Sequence, residues 1–222
     1  VDADAPVTPD LLGPVPVQHQ RAAERVRQHL VALRGGAPFL SPNDAVVLVG
    51  WLDTGVPIPS ILVALERAAD RRRRERRRVP LSLGHAVAEL KRAASPLAAA
   101  PAAAPAPSGL SGIARRVAAL AAAHPALNLI QLAETIGALP PGDAAAEDCL
   151  AAVARWLDAA WHELGDAGRA PWRDAARVAL GDVANLLDDG ELDQVLDEHA
   201  RGLLREALPA LSAAAILAEV EA

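Results

Sequence analysis

The chain has 222 residues, an apolar share of 52%, an aromatic share of 2% and a net charge of −6. That length accommodates one large domain or two small ones. Alanine and leucine carry most of the apolar count, tyrosine is absent and Phe39 is the single phenylalanine. A β-sandwich or barrel is hard to build from such a mix, so an all-α fold is expected. The charge is unevenly shared. Residues 1–95 hold 14 Lys+Arg against 10 Asp+Glu, a net +4, and residues 96–222 hold 8 against 18, a net −10. One cysteine, Cys149, excludes an intrachain disulfide framework and any multi-cysteine zinc site, and points to a reducing, cytoplasmic setting. The N-terminus lacks the basic-then-apolar pattern of a signal peptide. No stretch of about 18 uncharged residues is rich enough in large apolar side chains to span a bilayer, so no membrane association is expected.

Residues 1–16 hold four prolines and no periodicity, the pattern of a disordered tail. A helix is expected from Val17, with Val26, Leu30 and Leu33 inward and Gly35-Gly36 as its stop. Ser41-Pro42-Asn43-Asp44 is a helix start, with a capping hydroxyl, a proline at the first helical position and an acid in the first turn. That helix carries Leu48 and Trp51 and ends at Gly55. A third follows Pro57 and Pro59, buries Ile61, Leu62, Leu65 and Ala68, and continues through the arginine run to Pro80. Ser82 caps a fourth, with Leu83, Val87 and Leu90. Residues 95–109 contain four prolines among alanines and form a semi-extended spacer. The expected organisation is therefore a tail (1–16), a basic four-helix domain (17–94), a linker (95–109) and an acidic helical bundle (110–222). In the second half, helices are expected over 111–123, 126–138, 144–164, from Pro171 to Leu187, 191–207 and 211–220. Gly165–Gly168 reads as a turn and Asp188-Asp189-Gly190 as a break.

The chemistry centres on Arg71, Arg72, Arg73, Arg74, Arg76, Arg77 and Arg78, seven arginines in eight residues, followed by Lys91 and Arg92. Three readings compete. Clustered cations neutralise phosphates in DNA or RNA; they complement the dipole at a solvated helix end; or they dock on an acidic protein surface, including this chain's own second half. No Asp or Glu lies three residues before any of the six histidines, and no two histidines are four apart, so the helical metal-site spacings are absent. Asp188-Asp189-Gly190-Glu191-Leu192-Asp193 lacks the ligand order and glycine placement of a calcium loop. Glu147 and Asp148 beside Cys149 would raise its thiol pKa, so a packing role is expected for it. His199, beside Asp197 and Glu198, reads as an exposed helical residue, and the four tryptophans read as core. No glycine-rich phosphate loop or nucleophile elbow is present. Nothing calls for a cofactor, and a non-enzymatic protein is expected.

Ser41-Pro42-Asn43-Asp44, Trp51-Leu52-Asp53-Thr54-Gly55-Val56-Pro57, Ile61 with Leu65, the basic run and Pro80-Leu81-Ser82-Leu83 together resemble a group of uncharacterised bacterial all-helical proteins. Residues 203–212 are similar to that group's C-terminal phrase. The resemblance implies no activity. Residues 41–94, about a quarter of the chain, are also similar to the C-terminal helical module of DnaD-like primosome proteins, through Trp51, Gly55, Ile61, Leu65, Ala68 and Ser82. That likeness implies a helix-turn-helix-like arrangement and DNA binding. Gly84 and His85 stand where the module has its tyrosine, and its closing aromatic motif is absent. The function expected from the sequence is a nucleic-acid-associated accessory or regulatory protein that contacts the phosphate backbone through residues 71–92. Its alternative is a protein–protein adaptor, with the acidic half offering a surface to a protein partner.

Overall fold

The computed structural model describes residues 15–93 and 109–220, and within them the fold is all-α, with ten α-helices and no strand. The expected tail and spacer lie outside the described residues, apart from Val15, Pro16 and Gly109. After a 3-10 turn at Val17–His19, α1 spans Gln20–Arg34 and is closed by Gly35 at φ 68°, whose amide donates to the Val31 carbonyl at 2.7 Å. Helix α2 (Pro42–Asp53) starts where expected, with the Ser41 hydroxyl accepting from the Asp44 amide at 3.1 Å. Helix α3 spans Ile58–Arg74 and α4 spans Leu83–Ala93. Helices α5 (Gly109–Leu120) and α6 (Leu129–Gly137) pair closely, and α7 (Ala145–Glu163) carries the largest stretch of core. Helices α8 (Gly165–Leu180) and α9 (Asp189–Glu206) pack side by side, and α10 (Ala213–Val220) returns to α3, α5 and α7.

Several boundaries differ from the sequence reading, among them the helix expected to run to Leu187, which stops at Leu180 where Gly181 takes φ 56° and a 3-10 segment follows over Gly181–Leu186. Gly165 makes the break alone, at φ 58°, so α8 begins there and Gly165–Gly168 is helical rather than a turn. Pro171 falls inside α8 instead of opening it, on an exposed face where α8 packs mainly on α9. Helix α3 stops at Arg74, six residues before Pro80. The Asp188 break does hold, as a capping box: the Asp188 carboxylate accepts from the Glu191 amide at 2.9 Å, and Glu191 reaches back to the Asp188 amide.

The core does not divide at the spacer. Leu30, Leu48, Ile61, Leu65 and Leu83 from its N-terminal side belong to one buried cluster with Ile113, Leu150, Trp161, Leu180, Leu196 and Ile216 from the other. Helix α1 packs on α7 and α9, and α3 on α7, α9 and α10. Each fully buried leucine contributes about 2 kcal/mol. Ion pairs cross the same seam: Arg25 holds Glu147 and, at 2.6 Å, Asp148. Arg201 of α9 is buried beneath α1, where it donates to Asp158 at 2.9 Å and to the Ala32 carbonyl, with its Cζ over the Trp161 ring, 5.4 Å from the centroid. The opposite net charges of the two halves are thus partly matched within the fold. No helix among the described residues is long and apolar enough to cross a membrane.

Candidate nucleic-acid interface

The position of each arginine follows from the phase of α3. Its buried stripe is Ile61, Leu65 and Ala68, and the next position on that stripe is Arg72. Arg72 is accordingly 5% exposed. Its Nε lies 3.8 Å from Glu198 of α9 and its Nη1 lies 3.1 Å from Nε2 of His85. Burial pulls the Arg72 pKa down, and Glu198 opposes that. Arg73, also turned inward, pairs with Glu206 of α9 and with Asp70 at 3.6 Å. The Gly202 backbone makes room for its stem: a Cβ there would meet Arg73 Cδ at 3.1 Å. Arg71 pairs with Glu89 of α4, whose same oxygen also takes Arg92 at 2.6 Å. Of the three readings of the run, Arg72 and Arg73 fit docking on the chain's own second half: their guanidinium groups face α9, because helical spacing places them over its carboxylates.

Beyond Arg73 the run emerges into solvent. Arg74, Arg76, Arg77 and Arg78 are exposed, as are Lys91 and Arg92. The helix is closed by paired hydrogen bonds, Arg76 amide to Arg73 carbonyl and Arg77 amide to Arg72 carbonyl, both 3.0 Å. This closure puts Arg76 at φ 51°, a left-handed position that glycine usually fills. Arg77 pairs with Glu75 at 3.0 Å, a contact that holds the Glu75 carboxyl below its ordinary range. Arg74 and Arg78 have no ion-pair partner among the described residues.

The α3–α9 seam beneath this surface is strongly charged. Burial pushes the Glu198 carboxyl up even though it accepts from the Leu81 amide at 2.9 Å. His199 is buried, not exposed as its neighbours implied. Burial, with Arg73 and Arg72 nearby, lowers its pKa to about 4, against a hydrogen bond to the Arg77 backbone. Ser82 and His85 form a second polar pair, with Oγ to Nδ1 at 3.0 Å. The Ser82 amide donates to the same ring nitrogen at 3.0 Å, which makes the pair the first turn of α4. Burial, then Arg72, lowers the His85 pKa.

Further inside, Glu66 accepts from the Ala213 amide at 2.8 Å and faces His29 at 3.4 Å and Arg205 at 4.0 Å. Burial pushes its carboxyl up, but His29, Arg205 and that amide outweigh burial and leave it below its ordinary value. Cys149 is buried, and burial pushes its thiol up to about 12, where it packs as a small apolar side chain. Among the described residues no group of three or more His, Cys, Asp or Glu side chains could hold a metal ion. Of the tryptophans, Trp161 is buried, while Trp51, Trp156 and Trp172 pack partly buried against the core.

Comparison of the chain with protein-family models, curated proteins and solved structures finds no match.

One feature of the surface was missed in the sequence. Arg67, Arg71 and Arg74 share one face of α3, and with Arg92 of α4 they line an open groove of about 340 Å³ whose remaining walls are Asp70 and Glu89. Arg67 stands apart from the arginine run, but it lies four residues before Arg71 and seven before Arg74. That spacing was available to find it.

Proposed function

We propose that the protein is a non-enzymatic accessory or regulatory factor that binds the phosphate backbone of a nucleic acid through the solvent-facing part of its basic segment. The observation that carries this reading is the exposure of Arg74, Arg76, Arg77 and Arg78 at the end of α3 and of Lys91 and Arg92 at the far end of α4, with Glu75 the one exposed acid within the run. No aromatic side chain lines the groove between these helices, so base stacking has no platform there. Contact is therefore with backbone and independent of sequence.

The test is binding to labelled random-sequence duplex and single-stranded DNA across a salt series. The comparison is wild type against the R74Q/R76Q/R77Q/R78Q variant. Wild type binds with a steep salt dependence, and the variant, which loses Arg74 and the charge of the turn, binds more weakly with a smaller slope. Absence of wild-type binding to either form at low salt refutes the proposal.

A second reading is favoured by the α3–α9 seam. Arg72 and Arg73 already dock on carboxylates of a neighbouring helix, and the outer arginines could extend that mode to an acidic helical surface of another protein. The exposed acids Asp188, Asp189 and Glu191 at the start of α9 would then serve a separate protein partner. Loss of all nucleic-acid binding, with retention of an acidic partner, would select this reading.

A further inference from the structure

We infer that the bound strand lies along α3 in the α3–α4 groove, with Arg67, Arg71, Arg74 and Arg92 as its phosphate contacts, while the turn at residues 76–78 adds only long-range attraction. This rests on the nucleic-acid reading above and assigns the contact to particular side chains.

Spacing comes first. Arg67, Arg71 and Arg74 rise along one helix face and span about 10 Å of axis at about 1.5 Å per residue. Their stems stand about 6 and about 4.5 Å apart along the axis, close enough for neighbouring phosphates of one strand to be met in turn. Arg92 faces them across the groove. A strand lying there meets three guanidinium groups on one side and a further one on the other.

Preorganisation comes second. Glu89 is buried, and one of its carboxylate oxygens accepts from both Arg71 and Arg92. This fixes guanidinium groups on both walls before any ligand arrives, so less side-chain entropy is lost on binding. Asp70 would repel a phosphate if it stood alone, but it is held from behind by Arg205 at 2.6 Å and Arg73 at 3.6 Å. Arg67 and Arg74 have no ion-pair partner among the described residues, so their donors are available to phosphate oxygens. The inner arginines thus contribute indirectly: by neutralising Asp70, Arg73 and Arg205 keep the groove basic.

Shape comes third. A concave wall of net positive charge concentrates its field, whereas the turn at Arg76–Arg78 projects into water that screens it. Within the turn Arg77 is engaged by Glu75, and Arg76 Nη1 stands 3.5 Å from where a Gly181 side chain would begin.

The experiment measures binding of fluorescein-labelled dT12 to the full chain at several salt concentrations. Three variants accompany wild type: R67Q/R74Q/R92Q in the groove, R76Q/R77Q/R78Q in the turn, and the lysine set R67K/R74K/R92K. All replaced side chains are exposed, and circular dichroism with a urea midpoint verifies the fold of each. The expected result is a loss of about tenfold or more for the groove glutamine set, with a slope smaller by about 2, three contacts at about 0.7 each for a single strand. The turn set stays within about threefold of wild type, and the lysine set keeps the wild-type slope. Loss in the turn set with retention in the groove set overturns the groove assignment and leaves nucleic-acid binding standing on the turn. Competition by inorganic phosphate as effective as by unlabelled dT12, at equal phosphate concentration, overturns the strand and leaves a single-phosphate site. Binding to phosphatidylserine vesicles without binding to dT12 or duplex DNA removes both the groove assignment and the nucleic-acid reading.

Discussion

Arg72 and Arg74 are two residues apart in one helix, yet the first is enclosed against Glu198 and the second stands in water. The same contrast separates the inner arginines, 72 and 73, from the outer ones, 74 and 76–78. Composition treats all seven as one basic run, and helical phase divides them. The inner pair fastens α3 to α9 and so joins the basic and acidic ends of the chain in one body. The outer set stands in water. Arg71 stands between the two, held by Glu89 but open to the groove. Local charge density in a sequence therefore overstates the charge available at a surface wherever an amphipathic stripe runs into it.

The sharpest way to break this contrast is Arg72→Ala. It leaves Glu198 buried without its arginine, and the unfolding free energy should fall by about 3 kcal/mol. Arg74→Ala should stay within about 0.5 kcal/mol of wild type. Urea denaturation checks both. Adding Glu198→Gln to Arg72→Ala should recover part of the loss; equal effects of the two alanine variants would show that the inner and outer arginines are not distinct.

Acid titration of the same seam is nearly as large. The His199 pKa is lowered from 6.5 to about 4 in the folded chain, so between those values the unfolded chain takes up a proton that the fold refuses. The contribution is complete above about pH 6.5 and is lost as pH falls toward 4, a change of about 3 kcal/mol. His85, lowered by burial and then by Arg72, acts in the same direction. Glu198, pushed up by burial, acts in the opposite one, because acid relieves its buried charge. Urea midpoints at pH 7, 5.5 and 4 should decline for wild type and decline less for His199→Gln. An equal decline in wild type and His199→Gln would mean that His199 takes up its proton in the folded chain as readily as in the unfolded one.

The smallest effect concerns the point where the inner and outer sets meet. Arg76→Gly removes the left-handed strain at φ 51° and should stabilise the fold by about 1 kcal/mol, read as a higher urea midpoint. Destabilisation would show that the Arg76 side chain is itself a structural contact near Gly181.

Much of the helical layout was legible in the residues. Ser41, Gly35, Gly55 and Asp188 act at the starts and stops that their chemistry predicts, since capping is a local interaction. The end of α3 was not legible, because an arginine rather than a glycine takes the left-handed terminal position. His199 was misplaced because flanking acids describe its neighbours in sequence, whereas its burial is decided by α3 across the seam. The packing of α1 on α7 and α9 was equally hidden: the spacer marks a change of composition, but the apolar faces on either side of it are complementary. At the surface, the arginine run was visible by density. Arg67 was visible only by period, and Glu89 as the organiser of Arg71 and Arg92 required the three-dimensional pairing of α3 with α4.

The early stop of α3 at Arg74 has one more consequence, for proteolysis. A trypsin-like protease needs an extended stretch of backbone in its cleft, and helix withholds one. The peptide bonds after Arg71, Arg72 and Arg73 lie within or against the last helical turn, while those after Arg76 and Arg77 lie in an exposed, non-helical turn. The most basic segment of the chain thus presents a short cleavage window between α3 and α4. A cut there would sever the chain and still leave the two fragments joined through the core they share.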